Sequence, residues 1–196
     1  MTAPLRLGLA GLGTVGIGVV KIVQRHADLI AVRAGRPVQI TAVSARDRSK
    51  TRDADLSGYA WESDPVALAR RDDVDVFIEV MGGSDGPAKD ATEAAIAAGK
   101  DVVSANKALL ALHGQALAEA AEARGHVIRF EAAVAGGIPA IKALTEGLAG
   151  NRIKRVMGVM NGTCNYILTR MESAGLPYEV VFEEARALGY LEADPN

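Results

Sequence analysis

Disulfide bonds within the chain are excluded because the sequence has a single cysteine, Cys164. This usage is typical of the reducing cytoplasm, where we expect the protein to reside. The net charge is −2 and no basic tract is present, which argues against nucleic acid or a membrane surface as partner. The amino terminus lacks a basic start followed by a long apolar run, so neither a signal peptide nor a membrane span is predicted there.

A glycine-rich turn stands out near the amino terminus, between an apolar run and a helical pattern. Residues Leu5–Ala10 predict a buried strand, and a Gly-x-Gly-x-x-Gly pattern follows directly. Such glycines allow a tight turn, a close approach of pyrophosphate to the backbone, and close packing of the helix on the strand. The helix N terminus offers N–H groups to phosphates. The stretch therefore predicts a dinucleotide site, with contacts at Gly11, Gly13, Thr14, Val15 and Gly16.

The end of the second predicted strand, Val38–Ser44, determines which dinucleotide fits. An acidic side chain there would accept from the 2′-hydroxyl of NAD, whereas a guanidinium suits the 2′-phosphate of NADP. Arg46 follows the strand, with Arg48 and Lys50 close behind, and we predict NADP. Two alternatives stay open: a shift of register would make Asp47 an NAD-type acid, and the loop could be only a solvated basic segment.

Strands and helices alternate along the first two thirds of the chain. This alternation predicts an α/β fold, a Rossmann-type doubly wound parallel sheet, with ligands over the carboxyl ends of the strands. The predicted strands are 5–10, 38–44, 74–80, 101–104 and 126–131, and the predicted helices are 14–33, a short helix from 64, 87–98 and 109–124.

A small-residue segment, 132–139, changes the character of the chain and predicts a hinge between domains. Beyond it we predict a helix over 141–148, a strand over 153–160, and helices over 164–173 and 178–188. We assign residues 1–133 to a nucleotide-binding domain and residues 134–196 to the start of a second, α+β domain for substrate binding and dimerisation. The second domain is too short to be complete, so we expect the chain to be truncated.

Six stretches identify the family that the sequence resembles, and they run in order from residue 5 to 196. They are GLGTVG, VMGG, SANKALLALHG, FEAAVAGGIPAIKAL, MNGTCNYILTRM and EARALGYLEADP. The chain resembles the homoserine dehydrogenases. The resemblance implies an NAD(P)-dependent oxidoreductase that interconverts L-homoserine and L-aspartate 4-semialdehyde in threonine and methionine biosynthesis, usually as a homo-oligomer. In this family the last stretch leads into the main catalytic Asp–Lys pair, which this chain does not reach. We therefore expect cofactor binding without turnover.

The resemblance also implies roles for individual residues. Lys107 lies on the cofactor and substrate side and assists proton transfer, while Gly82 and Ser104 line the cofactor. Glu192 would pair with the substrate ammonium group, supported by Asp194, and Gly162 and Thr163 would also bind substrate. The family holds a monovalent cation such as sodium at the hinge, mostly through backbone oxygens. Its ligands here would be Glu131, Val134, Gly136 and Ile138.

Two other functions stay open at this point. An acylating aldehyde dehydrogenase would use Cys164 as a nucleophile at a helix N terminus, although a lone cysteine is more often a packing residue. The second alternative is a non-catalytic NAD(P)-binding module.

Overall fold

Six strands form a single sheet within the computed structural model, which describes residues 2–159 and 161–191. They are β1 (Leu5–Ala10), β2 (Val38–Ser44), β3 (Ala60–Glu62), β4 (Val76–Glu79), β5 (Asp101–Ser104) and β6 (Ile128–Arg129). All pairs are parallel, in the order β3-β2-β1-β4-β5-β6. This is the order of a doubly wound sheet, so the predicted fold class is confirmed.

The helices are distributed over both parts of the chain. They are α1 (Thr14–Arg25), α2 (Ala27–Ala34), α3 (Pro65–Arg70), α4 (Pro87–Ala97), α5 (Lys107–Glu122), α6 (Ala140–Lys142), α7 (Gly162–Ala174) and α8 (Tyr178–Ala187). Local chemistry explains several starts: the side chains of Asp64, Asn106 and Asn161 accept backbone N–H groups in the first turns of α3, α5 and α7. No helix among the described residues is long and apolar enough to cross a bilayer.

Apolar side chains cover both faces of the sheet, as a doubly wound fold requires. On one face, Val20 of α1 packs with Leu9 and Val43 of the strands. On the other, Leu68 and Leu109 from α3 and α5 pack against Phe77 of β4, together with the alanine-rich side of α4. The chain divides into two compact units, Met1–Ala149 and Gly150–Asn196. The domain boundary that the sequence predicts, between residues 133 and 134, stays a prediction.

Several predicted elements differ from the structure in the first unit. The predicted helix 14–33 is two helices, because His26 leaves the helical conformation (φ −117°, ψ 27°). Strand β3 has no counterpart in the sequence prediction, since its three residues show no measurable periodicity. The strand predicted over 126–131 shortens to β6, because a 3₁₀ turn begins at Glu131. The helix predicted over 141–148 is α6 followed by a π-helical turn, Ala143–Gly147.

The second unit is built from α7 and α8, which pack around Ile167, Val181 and Ala185. Residues 152–159 have no regular secondary structure, so the strand predicted over 153–160 is wrong for its described part. A strand needs a partner for its backbone hydrogen bonds, and none of the described residues supplies one. The alternating apolar side chains of this segment are exposed, Met157 by 78% and Val159 by 74%.

Candidate cofactor-binding site

The glycine-rich turn joins β1 to α1 and brings three pieces of backbone together. Gly11 has φ +102°, and a Cβ atom there would lie 2.5 Å from the carbonyl oxygen of Val80, just past β4. A Cβ atom on Gly16 would overlap the carbonyl of Gly11. Both positions therefore need glycine, one for its dihedral angle and both for the close approach.

Gly13, the second glycine of the pattern, differs because the space beside it is open. A Cβ atom there would meet no described atom within 4 Å, and the residue is exposed. Gly13 precedes α1, whose first turn has neither a side-chain cap nor an acidic residue among the described residues. The first N–H groups of a helix have no acceptor within the helix and carry partial positive charge. Thr14, Val15 and Gly16 therefore present backbone donors beside open space, an arrangement that binds phosphates at helix N termini.

Arg52 connects the glycine-rich turn to the loop that follows β2. Its guanidinium donates to the carbonyl of Leu12 in the turn (3.3 Å). It also donates to the carbonyls of Lys50 (2.9 Å) and Asp47 (2.6 Å) within the loop. Sequence reasoning missed Arg52, because the contact joins residues 40 positions apart and has no local signal.

A basic pocket of about 280 Å³ lies in the same loop. Its basic side chains are Arg48, Lys50 and Arg52. The guanidinium carbons of Arg48 and Arg52 lie 5.7 and 5.5 Å from the ring centroid of Trp61, within the range of a cation–π contact. The indole therefore holds two cations beside the end of β2, a role for Trp61 that sequence reasoning missed.

Arg46 and Asp47 are both exposed after β2, but they differ in their hydrogen bonds. Arg46 is exposed, two residues past the end of β2. Asp47 is also exposed, but its Oδ1 atom accepts from the hydroxyl (2.7 Å) and the backbone N–H (2.8 Å) of Ser49. These two hydrogen bonds, the hydroxyl first, lower the pKa of Asp47. One carboxylate oxygen of Asp47 is thus engaged within its own loop.

A buried polar cluster lies where β4 and β5 end. Glu79, the last residue of β4, is fully buried, and its carboxylate accepts from the backbone N–H of Met81 (2.7 Å) and the hydroxyl of Ser104 (2.8 Å). The Ser104 oxygen in turn accepts from the N–H of Asn106 (3.0 Å). Asn106 donates from its side chain to the carbonyl of Gly83 (2.7 Å). The only sequence signal for Glu79 is an acid that ends an otherwise apolar strand.

The predicted residues Gly82, Ser104 and Lys107 are brought to this same edge of the sheet. Gly82 is exposed in the loop after β4, with φ +83°. Lys107 is the first residue of α5 and is exposed. Ser104 is only 1% exposed, and its hydroxyl proton is directed to Glu79. Ser104 can therefore face a ligand only as a hydrogen-bond acceptor.

The hinge residues form a short turn before α6. The carboxylate of Glu131 accepts from the backbone N–H groups of Ile141 (3.2 Å) and Lys142 (2.7 Å), at the start of α6. Its side chain is therefore engaged within the turn. The remaining predicted cation ligands, Val134, Gly136 and Ile138, follow in the same segment. No cluster of three metal-ligating His, Cys, Asp or Glu side chains occurs in the described ranges.

The predicted substrate residues of the second unit lie at the N terminus of α7. Gly162 and Thr163 are its first residues, and the Thr163 hydroxyl donates to the carbonyl of Tyr190 (2.6 Å). Cys164 is exposed, not packed, and its N–H is capped by the Asn161 side chain (2.9 Å). Glu192 and Asp194 lie outside the described residues.

Comparisons with known proteins agree with this geometry. The family model described as "Homoserine dehydrogenase, NAD binding domain" matches residues 11–131, and the model "Homoserine dehydrogenase" matches residues 139–196. Homoserine dehydrogenases from Neisseria gonorrhoeae and Bacillus subtilis are 48% and 46% identical over 98% of this chain. The chain spans 44% of the length of each.

Solved structures of homoserine dehydrogenases also match this chain. The crystal structure of a homoserine dehydrogenase from Thiobacillus denitrificans matches with a TM-score of 0.87 and 44% identity, over 98% of this chain and 44% of that one. A hyperthermophilic archaeal homoserine dehydrogenase in complex with NADPH matches with a TM-score of 0.79 and 27% identity, over 98% of this chain and 64% of that one.

These matches do not favour an acylating aldehyde dehydrogenase with Cys164 as nucleophile, since both family models describe another enzyme. The nucleotide-binding model alone covers more than half of the chain, and it includes the turn, the basic loop and the Glu79 cluster. From the geometry and the comparisons together, the chain belongs to the homoserine dehydrogenase family.

Proposed function

We propose that this chain supplies the nucleotide-binding half, and part of the substrate site, of an enzyme that interconverts L-homoserine and L-aspartate 4-semialdehyde with a nicotinamide cofactor. The observation that carries the proposal is the open space at Gly13 above the uncapped N terminus of α1. A pyrophosphate bridge needs such a space, because backbone N–H groups must reach its oxygens without an intervening side chain. When bound, the nicotinamide ring supplies the hydride chemistry.

The residues of this chain bind and orient the reactants. The N–H groups of Thr14, Val15 and Gly16 hold the pyrophosphate, and Gly82 and Ser104 border the nicotinamide half at the ends of β4 and β5. Lys107 lies beside them at the start of α5, where its ammonium group can stabilise the substrate oxygen and assist proton transfer. In the second unit, the N terminus of α7 offers the N–H groups of Gly162 and Thr163 to the substrate.

We propose NADP as the preferred cofactor. The basic pocket after β2 collects three positive side chains where the 2′-phosphate of the adenosine ribose would lie, and Arg46 lies between β2 and these residues in the sequence. Guanidinium groups meet phosphate oxygens in a bidentate manner. Asp47, the residue that could favour NAD, has its Oδ1 atom engaged by Ser49, so only Oδ2 is left to accept from a ribose hydroxyl.

Three further assignments remain predictions from the family. A monovalent cation at the hinge would be held by the carbonyl oxygens of Glu131, Val134, Gly136 and Ile138, since the Glu131 carboxylate is already engaged. Homo-oligomerisation and a cytoplasmic location are the other two. Pairing of two copies would give the exposed apolar side chains of residues 153–159 a partner.

A pair of glycine variants tests the proposed cofactor site. Gly13→Ala places a methyl group in the open space, where it excludes the pyrophosphate but touches no described atom. We expect NADPH affinity, measured by isothermal titration calorimetry, to fall about tenfold or more, which is about 1.4 kcal/mol. Binding is measured in place of turnover, because the chain spans only 44% of the length of the relative from Neisseria gonorrhoeae.

Gly18→Ala is the matched control. Gly18 lies on the same helix, and a Cβ atom there would also meet nothing described within 4 Å, but it is away from the turn. NADPH affinity should be unchanged in this variant. If both variants bind NADPH as tightly as the unaltered chain, the dinucleotide does not occupy the turn and the proposal is wrong.

A further inference from the structure

Glu79 is a buried carboxylate that the proposed chemistry has not used. It is 0% exposed, and both of its oxygens are occupied by neutral donors, the Met81 N–H and the Ser104 hydroxyl. A buried carboxylate is costly unless it is fully hydrogen-bonded.

The two acceptor oxygens reach two different segments. Through Met81, the carboxylate braces the start of the glycine-bearing loop, in which Gly82 and Gly83 both adopt positive φ angles (+83° and +86°). Glycines of this kind leave a loop conformationally free unless other contacts restrain it. Glu79 therefore restrains the loop at its first residue.

Through Ser104, the same carboxylate restrains the start of α5. Ser104 lies directly opposite Glu79 in the register of β4 and β5. Its oxygen accepts the Asn106 N–H, and the Asn106 side chain both caps α5 at Leu109 and donates to the Gly83 carbonyl. A chain of hydrogen bonds thus connects Glu79 through Ser104 and Asn106 to the Gly83 carbonyl in the loop after β4.

We propose that Glu79 is a positioning residue for the nicotinamide half of the cofactor, an inference that rests on the proposed function. Its carboxylate fixes the spacing between the Met81–Gly83 loop and the Asn106–Lys107 start of α5, the two segments that border this half. It also directs the Ser104 proton away from the ligand, so that Ser104 presents only a lone pair. The adenosine half lies at the ends of β1 and β2, where Glu79 has no side-chain hydrogen bond among the described residues.

Glu79→Gln keeps the shape of the side chain and replaces one acceptor oxygen by an amide nitrogen. The amide oxygen can still accept from Met81, but the amide nitrogen must donate to Ser104, which already accepts from Asn106. The Ser104 proton then has to point elsewhere, toward the nicotinamide side. The substitution is nearly isosteric, so the core around it is preserved.

The test compares NADPH with 2′,5′-ADP, a ligand that carries the 2′-phosphate and adenosine but lacks the nicotinamide. We expect Glu79→Gln to weaken NADPH binding about tenfold, the size of a disrupted buried hydrogen bond, and to leave 2′,5′-ADP binding within about twofold. A merely structural role would lower both affinities together. Ser104→Ala, which removes the hydroxyl and keeps the carboxylate, should give the same selective loss even if Glu79→Gln fails to fold.

Thr92→Val is the control, because Thr92 is a buried hydroxyl on α4 that donates only to the carbonyl of Ala88 (2.8 Å) among the described residues. It should change neither affinity. Equal losses for both ligands, or no loss for NADPH in either Glu79→Gln or Ser104→Ala, would overturn the positioning role while leaving the proposed function intact. If the unaltered chain binds neither ligand, the proposed function fails and the inference fails with it.

Discussion

The amino ends of the strands carry direct charge pairs, whereas the carboxyl ends are bordered by glycines, by the basic pocket after β2 and by the buried carboxylate of Glu79. At the amino end, Arg6 of β1 pairs with Asp75 before β4 (2.6 Å), and Arg71 pairs with Asp73 (2.8 Å). Lys100, before β5, is 7% exposed and donates to the carbonyls of Arg71 (2.7 Å) and Val74 (2.5 Å).

The difference separates stability from binding. The charged side chains at the amino end are engaged with one another or with backbone carbonyls, so they have less to offer a ligand. At the carboxyl end, the turn at Gly13 and the loop at Gly82 leave space and backbone donors exposed. Variants at the amino end should therefore change the free energy of unfolding, whereas variants at the carboxyl end should change cofactor affinity.

The largest expected effect is on stability, at the amino end. Lys100→Met keeps the length of the side chain but leaves the buried Val74 carbonyl without its charged donor. We expect the free energy of unfolding, measured in urea, to fall by about 2–4 kcal/mol. NADPH affinity should not change. Lys89→Met, which removes a helical i,i+4 pair with Glu93 at the surface, should have a far smaller effect. An NADPH affinity that falls with Lys100→Met would erase the distinction between the two ends.

A smaller effect is expected on binding, at the carboxyl end. Arg46→Ala removes the exposed guanidinium that lies between β2 and the residues of the basic pocket in the sequence. We expect about 1–3 kcal/mol of NADPH binding energy to be lost, measured by calorimetry. Affinity for NADH should be unchanged, because NADH has no 2′-phosphate. Arg33→Ala, an exposed arginine on α2, is the control. Equal losses for both cofactors would show that Arg46 does not bind the 2′-phosphate, and Arg48 would then be the next residue to test.

The smallest effect concerns pH. Hydrogen bonds from Arg6 are the main cause of the lowered pKa of Asp75. A lowered pKa in the folded state adds stability that is present above the unfolded pKa of about 3.9 and is lost as the pH falls through the folded value. Asp75→Asn should therefore lower the free energy of unfolding at pH 7 by about 0.5–1 kcal/mol, since the pair is partly exposed.

The pH dependence separates this contribution from packing. The difference in stability between the unaltered chain and Asp75→Asn should shrink below about pH 4, as the carboxylate of the unaltered chain becomes protonated. Asp53→Asn is the comparison and should show a smaller difference at pH 7, because Asp53 pairs with Lys21 but is 95% exposed. A constant difference from pH 7 to pH 3 would show that the Asp75 carboxylate contributes no charge interaction.

Local patterns predicted the parts of the fold that depend on local chemistry. Strands β1, β2 and β5 have the predicted bounds, because each is an apolar run that ends at a glycine or a polar residue. The break at His26 could not be predicted, since apolar residues continue in helical register on both sides. Residues 153–159 were predicted as a strand and are not one. Their apolar and polar residues alternate as in a strand, but a strand also needs a neighbouring strand to pair with, which periodicity does not reveal.

The candidate site divides in the same way. Gly11, Gly13 and Gly16 could be singled out because the pattern that marks them lies within six residues, although the Val80 carbonyl that Gly11 approaches comes from the end of β4. Arg52 and Glu79 could not, because each acts on a residue that is distant in sequence, Leu12 in one case and Ser104 in the other. Long-range hydrogen bonds of this kind depend on strand order, which becomes known only once the sheet is assembled.

The intrinsic fluorescence of Trp61 can report on the basic pocket. It is the sole tryptophan of the chain, and two guanidinium groups lie against its ring. Any anion that draws Arg48 or Arg52 off the indole alters the polarity around it, so the fluorescence of the protein reports occupancy of this pocket. Titrations with 2′,5′-ADP, which lacks the nicotinamide, followed by indole emission would detect binding of the phosphate-bearing end of a nucleotide.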